Sequence, residues 1–437
     1  MKRTLRIIGI GLAALALAGC SKHKAINAPA VSSGSADFSV VASIGTSVSA
    51  GYESGGLVVH HQRKSFAYAF AKQVGSAYEI PSVTADGLPP LLEIKSLVGP
   101  VINNSGRTPG TPDNLALPAP YNNMAVPGAV LFDVTSDARY GSGAFPFIAR
   151  PALQLGTILD QVAKLNATFV TFEMGANEVL GPASQGSGVP VINAATYSAL
   201  LTAALDSLQA LLPGAKGALF TVPDITSLPY FTTISPRLDP AGICRVLGPR
   251  PNGTPAPLGD NDLVLLPAGP LLATGTGVPG PCGGSGNGLP ASMVLYAPAV
   301  DSIQTAIDGY NTAIRAQAAA RGWALVDLNG LLKLAATTGF VFQGQTYTSA
   351  FVTGGLFSLD GVHPTDLAHG IIGNALIAAV NATYGARIPP LNLADFATAS
   401  SSRLSPLIQP GAFPQVEDAD RVYGALWGWR GILTPLP

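Results

Sequence analysis

Residues 37–51, DFSVVASIGTSVSAG, decide how this chain is read. The first half is a short apolar, β-branched run, the signature of a buried strand. It then breaks into glycines and small hydroxyl residues, with Ser47 and Ser49 standing between Gly45 and Gly51. A simple turn would be satisfied by Asn-Gly or Pro-Asp. A serine at the carboxyl end of a buried strand is instead placed where open α/β sheets form their sites, with backbone N–H groups close by.

Outward from that stretch, strand and helix signals alternate. FSVVASIG (38–45) is followed by a helix at 65–75, SFAYAFAKQVG, ending on glycine. Residues 152–166, ALQLGTILDQVAKLN, read as a helix running into the strand ATFVTFEMG (167–175). Leu201, Leu205, Leu208 and Leu212 form one face of the next helix, which Pro213-Gly214 stops before the strand GALFTVPD. Ile303, Ile307, Tyr310 and Ile314 mark a further helix, before the strand WALVDL, and residues 365–385 form the last helix. Such alternation predicts an α/β fold with a mainly parallel sheet covered on both faces. Residues 79–123 and 225–298, rich in Pro, Gly and Asn, read as long insertions near a functional face. The main domain is placed at 37–386. The extension 387–437, with ALWGWRG, is expected to pack back on it.

The amino terminus lies outside this fold. MKRTLR carries three positive charges, an apolar run of 13 residues follows, and Cys20 comes directly after Leu-Ala-Gly. That is the layout of a secretory signal, too short to span a bilayer. The cysteine after Leu-Ala-Gly resembles the lipobox of bacterial lipoproteins, in which the signal is cut before a cysteine that carries the lipid. The resemblance implies lipidation at Cys20, a tether over 21–36 and a membrane partner through the anchor. Ser21 lacks the aspartate associated with inner-membrane retention, so the expected location is the cell envelope at the outer membrane. A plain secretory signal is the alternative.

Net charge is −1 and only 11% of residues are charged, which argues against a nucleic-acid partner. With 47% hydrophobic residues, the high Gly (50) and Pro (37) counts point to long ordered loops rather than disorder. Cys244 and Cys282 bracket a Pro/Gly-rich segment of an exported chain and are expected to pair as a disulfide. Neither has the neighbours of a metal ligand, and no metal or cofactor is expected.

A serine nucleophile needs a base, an orienter for that base, and donors for the developing oxyanion. Of five histidines, His23 lies in the tether, His60 and His61 in a loop near Ser47, and His369 inside the last helix. His363 differs. In LDGVHPTDLAHG, Pro364 holds it extended at a helix start, and Asp360 stands three residues earlier, within reach of a ring nitrogen. By itself this stretch fits equally well Asp360 and Asp366 as turn and cap residues around a structural histidine. VTFEMGANEVLG ends a strand with Asn177, whose amide suits an oxyanion, and in NMAVPGAVLFDV Gly128 offers a backbone N–H.

Taken in order, IGTSVSAG, AVPGA, GANE and DGVHPT resemble the four blocks of the SGNH (GDSL-type) hydrolases, across residues 38–385. The resemblance implies a flavodoxin-like three-layer αβα sandwich. It also implies a nucleophile at Ser47, a general base at His363 oriented by Asp360, and an oxyanion hole from the Ser47 and Gly128 N–H groups and the Asn177 side chain. Two positions depart from the pattern: Thr46 replaces the namesake aspartate, and Glu178 replaces the commoner Asp. The expected activity is ester hydrolysis on a small-molecule, lipid or glycan ester. An O-acyltransferase with the same triad and a non-catalytic binding lipoprotein are the alternatives. The apolar insertion GDNDLVLLPAGPLLATG allows acyl-chain substrates, or packs on the core.

Overall fold

The computed structural model describes residues 32–96, 101–249, 253–397 and 413–417. Its centre is a parallel sheet of four short strands: β1 (Val41–Gly45), β2 (Phe169–Glu173), β3 (Lys216–Phe220) and β4 (Ala324–Val326), in the order β1-β2-β3-β4. A fifth position lies at the free edge of β1. There Ser43 bridges Asn123 in parallel, Asn122 O accepts from Ser43 N, and Val126 N donates to Gly45 O. Counting that segment as second in the chain, the order is 2-1-3-4-5, as in flavodoxin-like sheets. It forms no regular strand because the Asn122 and Asn123 side chains take over part of its bonding: Asn122 Nδ2 donates to Val41 O and Asn123 Nδ2 to Ser49 O.

Period-2 alternation sends successive strand residues to opposite faces. Ala42, Ile44, Val170, Phe172 and Leu219 point into one core with the helices Ile158–Lys164, Ala194–Leu211 and Ala297–Arg321. Val41, Phe169, Ala218 and Phe220 point into the other, against Phe66–Gln73 and Asp366–Tyr384. The result is the three-layer αβα sandwich. In chain order the helices used below are α1 (Ser47–Ala50), α2 (Asn177–Ala183), α3 (Leu328–Thr337) and α4 (Asp366–Tyr384). α4 starts at Thr365, whose hydroxyl accepts from Ala368 N, and stops at left-handed Gly385.

The helix expected over 152–166 begins only at Ile158. Gln154 and Gly156 take positive φ, and Thr157 caps through a reciprocal pair with Asp160, so the chain turns before the helix starts. The 225–298 insertion builds its own small core from Val246, Leu258, Val264, Leu272 and Val294, tied by the Cys244–Cys282 disulfide. The apolar residues of 259–275 are spent there, packed rather than lining a cleft. Ser32 bridges Arg387, and Ser35 N donates to Tyr384 O, so residues 32–36 dock at the end of α4. Gln415–Val416 pairs with Val101–Asn103 of the first insertion. Cys20 lies outside the described residues. Among the described residues no helix is long and apolar enough to cross a membrane.

Candidate active site

Ser47 is the first residue of α1, directly beyond β1. Two features of the opening stretch force that turn. A side chain on Gly45 would lie 2.3 Å from Ser49 Oγ, and Gly51 ends α1 at φ 77° with Gln62 backbone against it. Thr46 and Ser49 face inward. Thr46 N and Oγ1 and Ser49 Oγ all donate to the carboxyl of Glu173 at the end of β2, at 2.9–3.1 Å. Burial pushes the Glu173 carboxyl up, while these hydrogen bonds pull the other way. Glu173 thus supplies from the neighbouring strand the acid that position 46 lacks. Its signal in the sequence is a lone charge closing an apolar strand, outside the four motif blocks.

With Thr46 and Ser49 engaged inward, Ser47 is left to the cleft. Its Oγ lies 2.8 Å from His363 Nε2, and His363 Nδ1 lies 2.9 Å from Asp360 Oδ2. Asp360 Oδ1 also accepts from the N–H groups of Val362 and His363 and from Ser358 Oγ, and Oδ2 accepts from Gly55 N. Burial pushes the Asp360 carboxyl up, but the His363 ring and these hydrogen bonds outweigh it and hold it below the usual carboxylate value. Asp360 is therefore an anion, aimed at the ring that would carry a proton. Tyr52 packs against that ring at 4.7 Å between centroids and is kept neutral, burial and Asp360 both raising its pKa.

Asn177 starts α2, and its Nδ2 donates to Ala129 O at 2.8 Å. Glu178 Oε1 accepts from Leu131 N at 2.7 Å, so two adjacent side chains clamp the 129–131 segment to the start of α2. Gly128, at φ 80°, immediately precedes the clamped segment. Among the described residues its N–H has no acceptor. Burial raises the Glu178 carboxyl to about 7 and that of neighbouring Asp133 to about 6, and it lowers Arg139, 3.3 Å from Asp133, to about 10. In the sequence Glu178 is only a departure from a motif. Its role as a clamp depends on where the chain returns.

Ser47, Asn177 and His363 line one cavity of about 830 Å³, counting its open mouth. Asp360 sits behind His363, and neither Asp360 nor Gly128 lines the cavity. His369 is fully buried near Phe66, and burial lowers its pKa to about 3. His61 Nδ1 stands 2.8 Å from Asp366 and 3.2 Å from Glu53. Among the described residues those three are the group whose ligand atoms are spaced for a cation, all within 4.8 Å of one another.

A family model for GDSL-like lipases/acylhydrolases matches residues 41–376. No curated protein matches. Similar solved structures include a putative GDSL-like lipase from Parabacteroides merdae (10% identity, TM-score 0.35, covering 80% of this chain and 97% of that one). The extracellular lipase of Streptomyces rimosus is another (14%, TM-score 0.36, 78% and 99%). A third is LAE5, an α/β hydrolase from the metagenome of Lake Arreo, Spain (14%, TM-score 0.35, 80% and 97%). Similarity this low bears on neither mechanism nor substrate.

Proposed function

The chain belongs to the GDSL-like lipase/acylhydrolase family, whose activity is ester hydrolysis, and on that premise we propose that it is a lipid-anchored, extracytoplasmic serine hydrolase working through Ser47, His363 and Asp360. The observation that carries this reading is the unbroken chain from Ser47 Oγ through both His363 nitrogens to Asp360. Ser47 Oγ attacks the ester carbonyl as its proton passes to His363 Nε2, and Asp360 stabilises the imidazolium. The tetrahedral oxyanion is met by the Ser47 and Gly128 N–H groups and the second N–H of the Asn177 amide. Collapse breaks the C–O bond, and the alcohol leaves with the proton from Nε2. Water then repeats the sequence on the acyl-enzyme: His363 takes its proton, hydroxide adds to the carbonyl, and Ser47 Oγ leaves reprotonated as the acid departs. No step calls on a metal or organic cofactor.

The lipobox resemblance at Cys20 supports a lipid anchor and an outer-membrane location, reached after cleavage of residues 1–19 leaves Cys20 at the new amino terminus. An O-acyltransferase would differ only in a sugar or lipid hydroxyl replacing water. The test is hydrolysis of p-nitrophenyl esters by the chain lacking residues 1–20, beside Ser47→Ala. Turnover lost in the variant, with acylation of Ser47 by a fluorophosphonate, is expected. Turnover surviving Ser47→Ala would refute the nucleophile. Palmitate labelling of the full chain, abolished by Cys20→Ala, tests the anchor.

A further inference from the structure

We infer that Ser358 is a positioning residue for the reaction: its hydroxyl orients Asp360 and fastens the turn that carries Asp360 and His363 to the segment that carries Ser47. This rests on the reading of Ser47, His363 and Asp360 as the catalytic set. Ser358 is buried and spends each of its polar groups at this turn. Its N–H donates to His363 O and its carbonyl accepts from Gly361 N, both at 2.9 Å, which closes residues 358–363 on themselves. Its Oγ donates to Asp360 Oδ1 at 3.1 Å and accepts from Ser54 N at 2.9 Å. Ser54 and Gly55 follow α1 closely in the chain, and both take left-handed backbone, at φ 51° and 83°. Their successive N–H groups turn the same way, that of Ser54 onto Ser358 Oγ and that of Gly55 onto Asp360 Oδ2 at 3.0 Å.

A hydroxyl is what this position requires. It must donate a hydrogen bond to a carboxylate and accept one from a backbone N–H at the same time, which serine can do and alanine cannot. The carboxylate needs that hold because the last torsion of an aspartate is broad and has no sharp rotamer of its own. The N–H groups of Val362 and His363 also reach Oδ1, but both lie inside the turn and move with it. Links across to the nucleophile's segment come from Gly55 N on Oδ2 and, through Ser54 N, from the Ser358 hydroxyl on Oδ1. They keep Oδ2 on His363 Nδ1 while Nε2 stays on Ser47 Oγ. No motif marks this serine, which lies outside DGVHPT.

The experiment measures kcat and KM for p-nitrophenyl butyrate in the parent, Ser358→Ala and Ser358→Thr, and in Ser358→Ala combined with Asp360→Asn. Loss of one hydrogen bond to a charged group is expected to lower kcat about 10- to 100-fold in Ser358→Ala, with KM within about twofold. Ser358→Thr, which keeps the hydroxyl, is expected to recover most of that loss. Because Ser358 acts through Asp360, the same substitution made on Asp360→Asn is expected to cost less than about threefold more. A kcat for Ser358→Ala within about twofold of the parent overturns the proposal. So does an equal loss with and without Asp360→Asn, which would make Ser358 a support of the fold alone. If Ser358→Ala does not fold, Ser358→Cys, a weaker donor of similar size, is read by the same criteria. Ser47→Ala and Asp360→Asn separate this inference from the reading it rests on. Turnover lost in both but intact in Ser358→Ala overturns the positioning role and leaves the triad. Turnover surviving in both overturns the triad, and the role of Ser358 with it.

Discussion

His363 Nε2 lies 2.8 Å from Ser47 Oγ across 316 residues of chain, while the same ring turns Nδ1 to Asp360 only three residues away. One contact is local and the other is a product of the whole sheet. Together they place an anion, a titratable ring and a hydroxyl in line.

Asp360→Asn tests the anion. The amide nitrogen placed at Oδ2 would donate to Nδ1 and hold the ring in the wrong tautomer. kcat is expected to fall about 10³–10⁴-fold, with KM nearly unchanged, in steady-state ester hydrolysis. A loss below tenfold would remove Asp360 from the triad.

Restoring the family's aspartate should harm this protein. Position 46 is 1% exposed and faces the buried Glu173 carboxyl, so Thr46→Asp sets two acids together away from water. The expected cost is about 3–5 kcal/mol in urea denaturation, with much of it recovered by adding Glu173→Gln. Equal stability of Thr46→Asp and the parent would mean that Glu173 is not the acid of this site.

Glu178 should give stability a pH dependence. Its carboxyl is raised by burial from the ordinary 4.5 to about 7, so the folded state favours its neutral form. That contribution is complete below 4.5 and is lost as pH rises through about 7. Glu178→Gln, which keeps an acceptor for Leu131 N, is expected to flatten Tm between those values relative to the parent. Parallel Tm profiles in the two proteins would contradict the assignment.

His369 should be replaceable. It is fully buried, held neutral, and among the described residues its ring nitrogens have no hydrogen-bond partner. An unmatched buried polar group costs about 1–3 kcal/mol. His369→Leu is therefore expected to be neutral or stabilising by thermal melting. A clear drop in Tm would show that its nitrogens are used.

What the sequence determined by itself is what short-range chemistry can encode. The β/α alternation, the serine beyond β1 and the caps of the last helix each depend on residues a few positions apart, whereas Asp360, three residues before His363, fits a turn residue equally well until its carboxylate is seen on the ring nitrogen. What only the tertiary structure decided depends on distant segments meeting. Glu173 is an odd acid in a strand until β2 lies beside β1 and meets Thr46 and Ser49. Glu178 is a motif mismatch until Leu131 N arrives on its carboxylate. The apolar wall of the cavity beside Ser47 reads as two ordinary amphipathic helices, because a half-buried leucine has the same sequence signature facing a core or a cavity. The helix expected from 152 starts only at Ile158 for the opposite reason: there the signal is local, the Thr157–Asp160 cap and the positive φ of Gly156 setting its beginning.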